Sequence, residues 1–205
     1  MRDVYRAATA WAMLLAWPIY LVSAVLAPEL LGVFGDGYTS VASVVVMLSL
    51  AMLVATASGA VDTVLLMSGH TWLSLGNNLG SALVNVLLNI VLIPKHGVVG
   101  AAAAWTISIV LRNLLPLVQI AVLHRISPVS RQTGLVAGIA AVTLGVLPGV
   151  ARLLGAPLPV VLGALAVGAV LFVASAWLAR STLQLDAFVG MLRSRAGRSR
   201  APAAG

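Results

Sequence analysis

The chain has 205 residues, of which 61% are apolar and 8% are charged, whereas a water-soluble domain carries about a quarter charged residues. This composition excludes an ordinary soluble domain and indicates an integral membrane protein. Because the chain has no cysteine, disulfide frameworks, thiolate metal sites and cysteine nucleophiles are excluded as well. The net charge of +7 makes the distribution of basic residues between the two membrane sides informative.

Six apolar stretches follow one another along the chain, separated by charges or by proline and glycine. They cover residues 7–27, 41–67, 72–93, 98–123, 134–154 and 158–178. Each is long enough to cross the ~30 Å hydrocarbon layer as a helix, and the alternating hydrophobicity of barrel strands is missing. The sequence therefore predicts an all-α fold, a polytopic transmembrane helix bundle of about six spans.

The first stretch has an alternative interpretation as a secretory signal peptide, because Arg2 and Arg6 precede an apolar run. The run is longer than the apolar core of such signals, which has about 7 to 15 residues. It also contains Trp17 and Pro18. We therefore expect a retained span.

The Lys and Arg residues outside the spans are distributed unevenly. With the N-terminus inside, only Lys95 and Arg152 lie in the outside loops, and nine lie in inside segments. These nine are Arg2, Arg6, Arg125, Arg131, Arg180, Arg193, Arg195, Arg198 and Arg200. Since Lys and Arg are retained on the cytoplasmic side, we expect both termini in the cytoplasm and a multi-pass protein of the inner or plasma membrane.

Residues 179–205 are more polar than the rest of the chain. Leu185, Phe188 and Leu192 recur at helical spacing, and four arginines follow between residues 193 and 200. This pattern predicts a short interfacial helix and a basic cytoplasmic tail that contacts anionic membrane lipids. RNA binding by the tail is the alternative interpretation, and we expect membrane lipids and no nucleic acid as partners.

Asp62 and Arg112 are the two charged residues in the interior of predicted spans, away from the span ends. Such residues usually face a bundle interior or a water-filled cavity, so both are candidate site residues. The two residues lie at different predicted depths, as calculated from the rise per residue of a helix, and a direct pair is feasible if the long Arg112 side chain bridges that difference. The alternatives to a site role are an ion pair that only stabilises the fold and an Arg112 side chain that reaches towards water.

Two prolines inside spans are predicted hinges, Pro116 and Pro18. The ring of Pro116 clashes with the carbonyl of Arg112, four residues earlier. A charge therefore lies at a predicted kink, and broken helices in membranes commonly line cavities or binding sites.

A polar stripe follows the third span. Its members are Ser74, Asn78, Ser81, Asn85 and Asn89. Spacings of three and four residues place them on one helical face. The three asparagines are candidate cavity residues, and hydrogen bonding between helices is the alternative interpretation.

Three glycine pairs have the GxxxG spacing that permits close helix packing. They are Gly76 and Gly80, Gly134 and Gly138, and Gly145 and Gly149. We interpret them as packing positions.

No constellation of catalytic residues is recognisable in the sequence. It lacks a P-loop, an HExxH motif and an acidic cluster for a metal, and the histidines at 70, 96 and 124 lie in predicted loops. We therefore predict that the protein is not an enzyme and uses neither a metal nor another cofactor.

Several segments resemble the C-terminal region of polysaccharide flippases, which belong to the superfamily that also contains multidrug exporters. The resemblance covers residues 1–125 and is carried by Pro18 and by segments 30–38, 67–70 and 85–102. The pattern N..LN..LIP..G..GAA in the last segment is its most specific element. Residues 134–178 resemble the additional two-span hairpin of longer family members.

The resemblance implies translocation of a lipid-linked oligosaccharide or polysaccharide precursor by a two-lobed transporter. Family members line their cavity with basic residues that meet a pyrophosphate, and the matching role falls to Arg112. The chain would then be the C-terminal portion of such a transporter, with a missing N-terminal lobe or a second copy as partner. Two alternatives stay open: an ion-coupled small-molecule exporter, in which Asp62 is central, and a membrane scaffold that transports nothing.

Overall fold

The computed structural model describes residues 2–124 and 131–178, and within these ranges it is helical with no strand. The predicted interfacial helix and basic tail at 179–205 lie outside the described residues. Eight α-helices are present in the described part of the chain. They are α1 (Arg2–Val25), α2 (Ala27–Gly32), α3 (Ala42–Ser58), α4 (Val61–Met67), α5 (Thr71–His124), α6 (Arg131–Ala140), α7 (Leu147–Leu153) and α8 (Leu158–Leu178).

Five segments of the described chain are long and apolar enough to cross a membrane. They are Ala8–Val25, Gly37–Met67, Thr71–Val122, Thr133–Leu153 and Leu158–Leu178. The all-α membrane bundle predicted from the sequence is thereby confirmed. The third segment has 52 residues and would measure about 80 Å as a straight helix, far more than one crossing needs.

This long segment is a hairpin that turns at Gly97. The backbone of Gly97 has φ 54° and ψ −131°, a conformation that favours glycine. Two contacts show that the chain folds back: a Cβ on Gly100 would overlap the carbonyl oxygen of Leu92, and the side chains of Asn77 and Gln119 bond each other across 42 residues. The two arms of α5, residues 71–96 and 98–124, therefore cross separately and correspond to the predicted spans 72–93 and 98–123.

The second predicted span is not one helix. A 3-10 turn at Asp36–Val41 leads into α3, which ends at Ser58, and α4 begins at Val61. Gly59 has φ 62° and ψ −151°, which ends the helical path. A Cβ at this position would overlap the side chain of Thr9 on α1, so close packing also requires glycine here.

Helix α1 contacts helices from both halves of the chain. It packs against α3 and against α6, while α5 packs on α3 and α8 packs on α7. A core of Leu21, Leu53, Leu144 and Phe172 joins α1 and α3 to the C-terminal helices. The region 134–178 is therefore packed against the N-terminal helices through buried apolar side chains.

A π-helical stretch, Ala141–Val146, connects α6 to α7. In this wider helix each N–H bonds the carbonyl five residues earlier, and Leu147 donates to Val142 in this way. The carbonyl of Thr143 would be the next to accept, but the residue in position to donate is Pro148, which has no N–H. Gly168 of α8 fills this place so closely that a Cβ would overlap the Thr143 carbonyl oxygen. The Thr143 carbonyl thus lies in the contact surface between this stretch and α8.

One ion pair ties the first connection to the fifth span. The guanidinium of Arg152 donates to both carboxylate oxygens of Glu29, at 3.0 and 2.9 Å. These hydrogen bonds lower the pKa of Glu29 below its usual value, against an opposing effect of burial. The pair places the connections around residues 28–40 and 152–157 at the same end of the bundle, as alternating crossings require.

Candidate transmembrane cavity

The break between α3 and α4 places a carboxylate inside an apolar span. Because the helix stops at Gly59, Ala60 is not helical and Asp62 lies in the first turn of α4. The peptide groups at the break no longer have a full set of helical partners. Polar atoms of backbone and side chain are thus collected at one depth of the bundle.

A cavity of about 190 Å³ opens between this break and the second arm of α5. Its lining combines the break with one face of that arm. The lining residues are Gly59, Ala60, Val61, Asp62, Ile109, Arg112 and Asn113. The structure therefore brings together the two charges that the sequence singles out.

The two charges do not pair with each other. Among the side chains that the structure describes, in residues 8–35, 37–122 and 133–178, the ion pair between Arg152 and Glu29 is the only one present. Asp62 is half-buried and accepts a hydrogen bond of 2.6 Å from the hydroxyl of Ser74. Arg112 is exposed and has no hydrogen-bond partner among the described residues. In this conformation the pair that sequence considerations made feasible is not formed, and both charges face one cavity.

The predicted polar stripe divides into two parts. Near the cavity, Ser74 binds Asp62, and the amide of Asn78 donates to the Ser74 hydroxyl at 3.5 Å. Farther along, the Asn89 amide donates to the backbone oxygen and side-chain oxygen of Asn85, at 2.9 and 3.0 Å. Asn78, Asn85 and Asn89 are not lining residues of the cavity; Asn78 supports it through Ser74.

The predicted hinges and the observed breaks differ in position. Pro18 lies within the uninterrupted helix α1, and the non-helical residue of α5 is Gly97, not the buried Pro116. A bend at either proline stays a prediction. The discontinuity next to the charges is at Gly59.

Sequence considerations missed three polar residues. Asn113 lines the cavity, with its amide nitrogen bound to the Ile109 carbonyl at 2.8 Å. Asn77 and Gln119 form a reciprocal amide pair, at 2.7 and 2.9 Å. Two features of the sequence could have indicated them. Asn113 lies next to a charged residue inside a predicted span, and Asn77 lies about one helical turn after Ser74.

In the described part of the chain, no group of three or more His, Asp or Glu side chains is arranged to hold a metal ion. Comparisons with protein-family models, with curated proteins and with solved structures found no match for this chain.

Proposed function

We propose that the protein translocates a lipid-linked oligosaccharide or polysaccharide precursor across the plasma membrane, as a portion of a flippase. The observation that carries this proposal is an unpaired guanidinium on a cavity at a helix break within the membrane. Charged residues at such depth usually serve a substrate or ion pathway, and discontinuous helices commonly form transport sites.

The chemistry of Arg112 fits the phosphate of such a substrate. A guanidinium presents a planar set of donors that binds phosphate in a bidentate manner. Its interaction with an anion is also screened less beside apolar helices than in bulk water. Arg112 would bind the phosphate, and Asn113 would contact the adjoining group.

The same proposal includes the orientation of the protein in the membrane and its partners. The excess of basic residues in the predicted inside segments supports an orientation with both termini in the cytoplasm. The partners are membrane lipids, the lipid-linked glycan, and either a further transporter lobe or a second copy of the chain. Nucleic acid is not among them.

The test is translocation by single-residue variants in proteoliposomes, with a fluorescent polyprenyl-pyrophosphate-linked sugar as substrate. We expect Arg112→Ala to abolish translocation at unchanged protein level, and Arg112→Lys to retain part of it because the charge survives without the bidentate geometry. Lys95→Ala, which removes a positive charge from the exposed hairpin turn, is the matched control and should transport normally. Full translocation by Arg112→Ala would contradict the proposal.

An ion-coupled exporter is the second candidate function, and the observation that favours it is the hydrogen bond between Ser74 and Asp62. A carboxylate held in this way beside a cavity is suited to binding a cation. Asp62→Asn separates the two functions. Loss of ion coupling with a small-molecule substrate, and no dependence on Arg112, would favour the exporter.

A further inference from the structure

We infer that the group bound in this cavity is a zwitterion with a phosphate and an ammonium a few atoms apart, as in phosphoethanolamine. The inference rests on the proposed function, because it specifies the chemistry of the substrate at the same site. The observation behind it is that Arg112 and Asp62 line one cavity without pairing with each other.

The charge balance of the cavity disfavours simpler ligands. An anion without a positive group would be attracted by Arg112 but repelled by Asp62. A metal ion or an organic cation would be attracted by Asp62 but repelled by Arg112. In a low-dielectric setting, a charge without a partner is costly. A ligand with both charges satisfies the guanidinium and the carboxylate at once, which no singly charged ligand does.

The hydrogen bonds around Asp62 leave room for an ammonium. Ser74, which is buried, donates to Oδ1 of the carboxylate, so this bond fixes the side chain, and Oδ2 is left to accept from a ligand. Asn113 commits its amide nitrogen to the Ile109 carbonyl, so its side-chain oxygen can accept a second ammonium hydrogen. Arg112 supplies donors only. The cavity lining thus offers donors from Arg112 and acceptors from Asp62 and Asn113, which are the two kinds of group that a zwitterion requires.

The cavity is large enough for a headgroup. At about 30 Å³ per water in the liquid, 190 Å³ corresponds to roughly six waters. A phosphoethanolamine group has a comparable number of heavy atoms. Because the cavity is not enclosed, the rest of a larger substrate would extend out of it.

The experiment uses the absence of cysteine from the chain. Ile109→Cys introduces one thiol in the cavity lining, and its alkylation by N-ethylmaleimide is timed with purified protein in nanodiscs. Ala60→Cys is a second reporter in the lining, in case the first variant folds poorly. Gly163→Cys, at an open position on α8, is the control that no ligand should protect.

We expect soluble phosphoethanolamine to protect the cavity thiol at a concentration about tenfold lower than ethyl phosphate, which lacks the ammonium. Asp62→Asn should remove this difference, and Arg112→Gln should remove protection by both compounds. Equal protection by ethyl phosphate would overturn the zwitterion while leaving the proposed function intact. If phosphoethanolamine protects neither the thiol at position 109 nor the thiol at position 60, the inference of a zwitterion is overturned as well.

The same reporter distinguishes two sources of the group. If the site takes a bilayer headgroup, alkylation without added ligand should be slower in phosphatidylethanolamine nanodiscs than in phosphatidylglycerol nanodiscs. If it takes a substituent of the translocated molecule, the two rates should agree and the soluble probe should still protect. The proposed function fails separately, through normal translocation by Arg112→Ala.

Discussion

The reciprocal amide pair between Asn77 and Gln119 should hold the two arms of the α5 hairpin in register. Asn77 is buried, and both amides donate and accept in the pair, at 2.7 and 2.9 Å. Replacing Asn77 by Leu removes both bonds and leaves the Gln119 amide without a partner. The double variant Asn77→Leu with Gln119→Leu removes both polar groups together.

The magnitude follows from the number of bonds. Side-chain hydrogen bonds within membranes average about 0.6 kcal/mol each, with values up to about 1.7, so two bonds contribute about 1 to 3 kcal/mol. Each single variant should lose about this free energy of unfolding, because the remaining amide is stranded. The double variant should be no less stable than either single variant, since no buried polar group is left unpaired.

The measurement is a double-mutant cycle, with unfolding in mixed micelles followed by circular dichroism. Asn89→Leu is the matched control: the Asn89 side chain bonds only to Asn85 within the same helix, so no stranded amide remains across the hairpin and the loss should be smaller. If the effects of Asn77→Leu and Gln119→Leu simply add, the two side chains do not act as a pair. The description of the hairpin would then be wrong.

Three further predictions concern packing, the ion pair and orientation. Gly168→Ala should lower the free energy of unfolding by about 1 to 3 kcal/mol because its Cβ would overlap the Thr143 carbonyl. Gly163→Ala, at an open position on the same helix, should leave the free energy of unfolding unchanged. Because the pKa of Glu29 is lowered in the folded protein, the stability from its pair with Arg152 is present at neutral pH and should be lost as the pH falls through that lowered value; Glu29→Gln should flatten this part of the pH profile, with a loss of up to about 1 kcal/mol at pH 7. A fluorescent protein that matures only in the cytoplasm should be bright when fused after Gly205, and a dark fusion would reverse the proposed orientation.

The spans were predictable because apolar length determines them. The turn at Gly97 fell in the gap between two predicted spans, next to Lys95 and His96, and the charges marked it. Gly59 had no such mark, since it lies within a predicted span, and the nearest charge, Asp62, was assigned to the interior of the same span. Proline was the expected cause of a break, but the observed breaks occur at glycines with positive φ.

Most of the closely packed glycines were not predictable from spacing. Among the GxxxG residues, Gly76, Gly80, Gly134 and Gly138 have open space around them within the described part of the chain, whereas a Cβ on Gly145 would lie 3.3 Å from the Leu21 side chain of α1. The closest approaches, at which a Cβ would overlap another atom, occur at Gly59, Gly100 and Gly168. Each of these meets a side chain or carbonyl from an element distant in sequence or folded back by a turn, so local spacing carries no information about it.

The candidate site was partly predictable for a related reason. Asp62 and Arg112 stood out because charges in apolar spans are rare. Their approach to one cavity depended on the break at Gly59 and on the hairpin register, and neither feature has a periodic signal. For the same reason, the hydrogen bond from Ser74 to Asp62 was not predicted, although Ser74 was noted as part of the polar stripe.

The contacts of α1 with both halves of the chain set an order of events during synthesis. Helix α1 packs against α3 and against α6, and Glu29 meets Arg152 only 123 residues later. At a translation rate of about 5 to 20 residues per second, that interval lasts roughly 6 to 25 s. Until α6 is made, the surface of α1 that α6 covers is in contact only with lipid or with the insertion machinery, and until Arg152 is made Glu29 lacks this ion-pair partner. The bundle can therefore be completed only from its C-terminal half, and a ribosome that stalls before α6 leaves that surface of α1 uncovered.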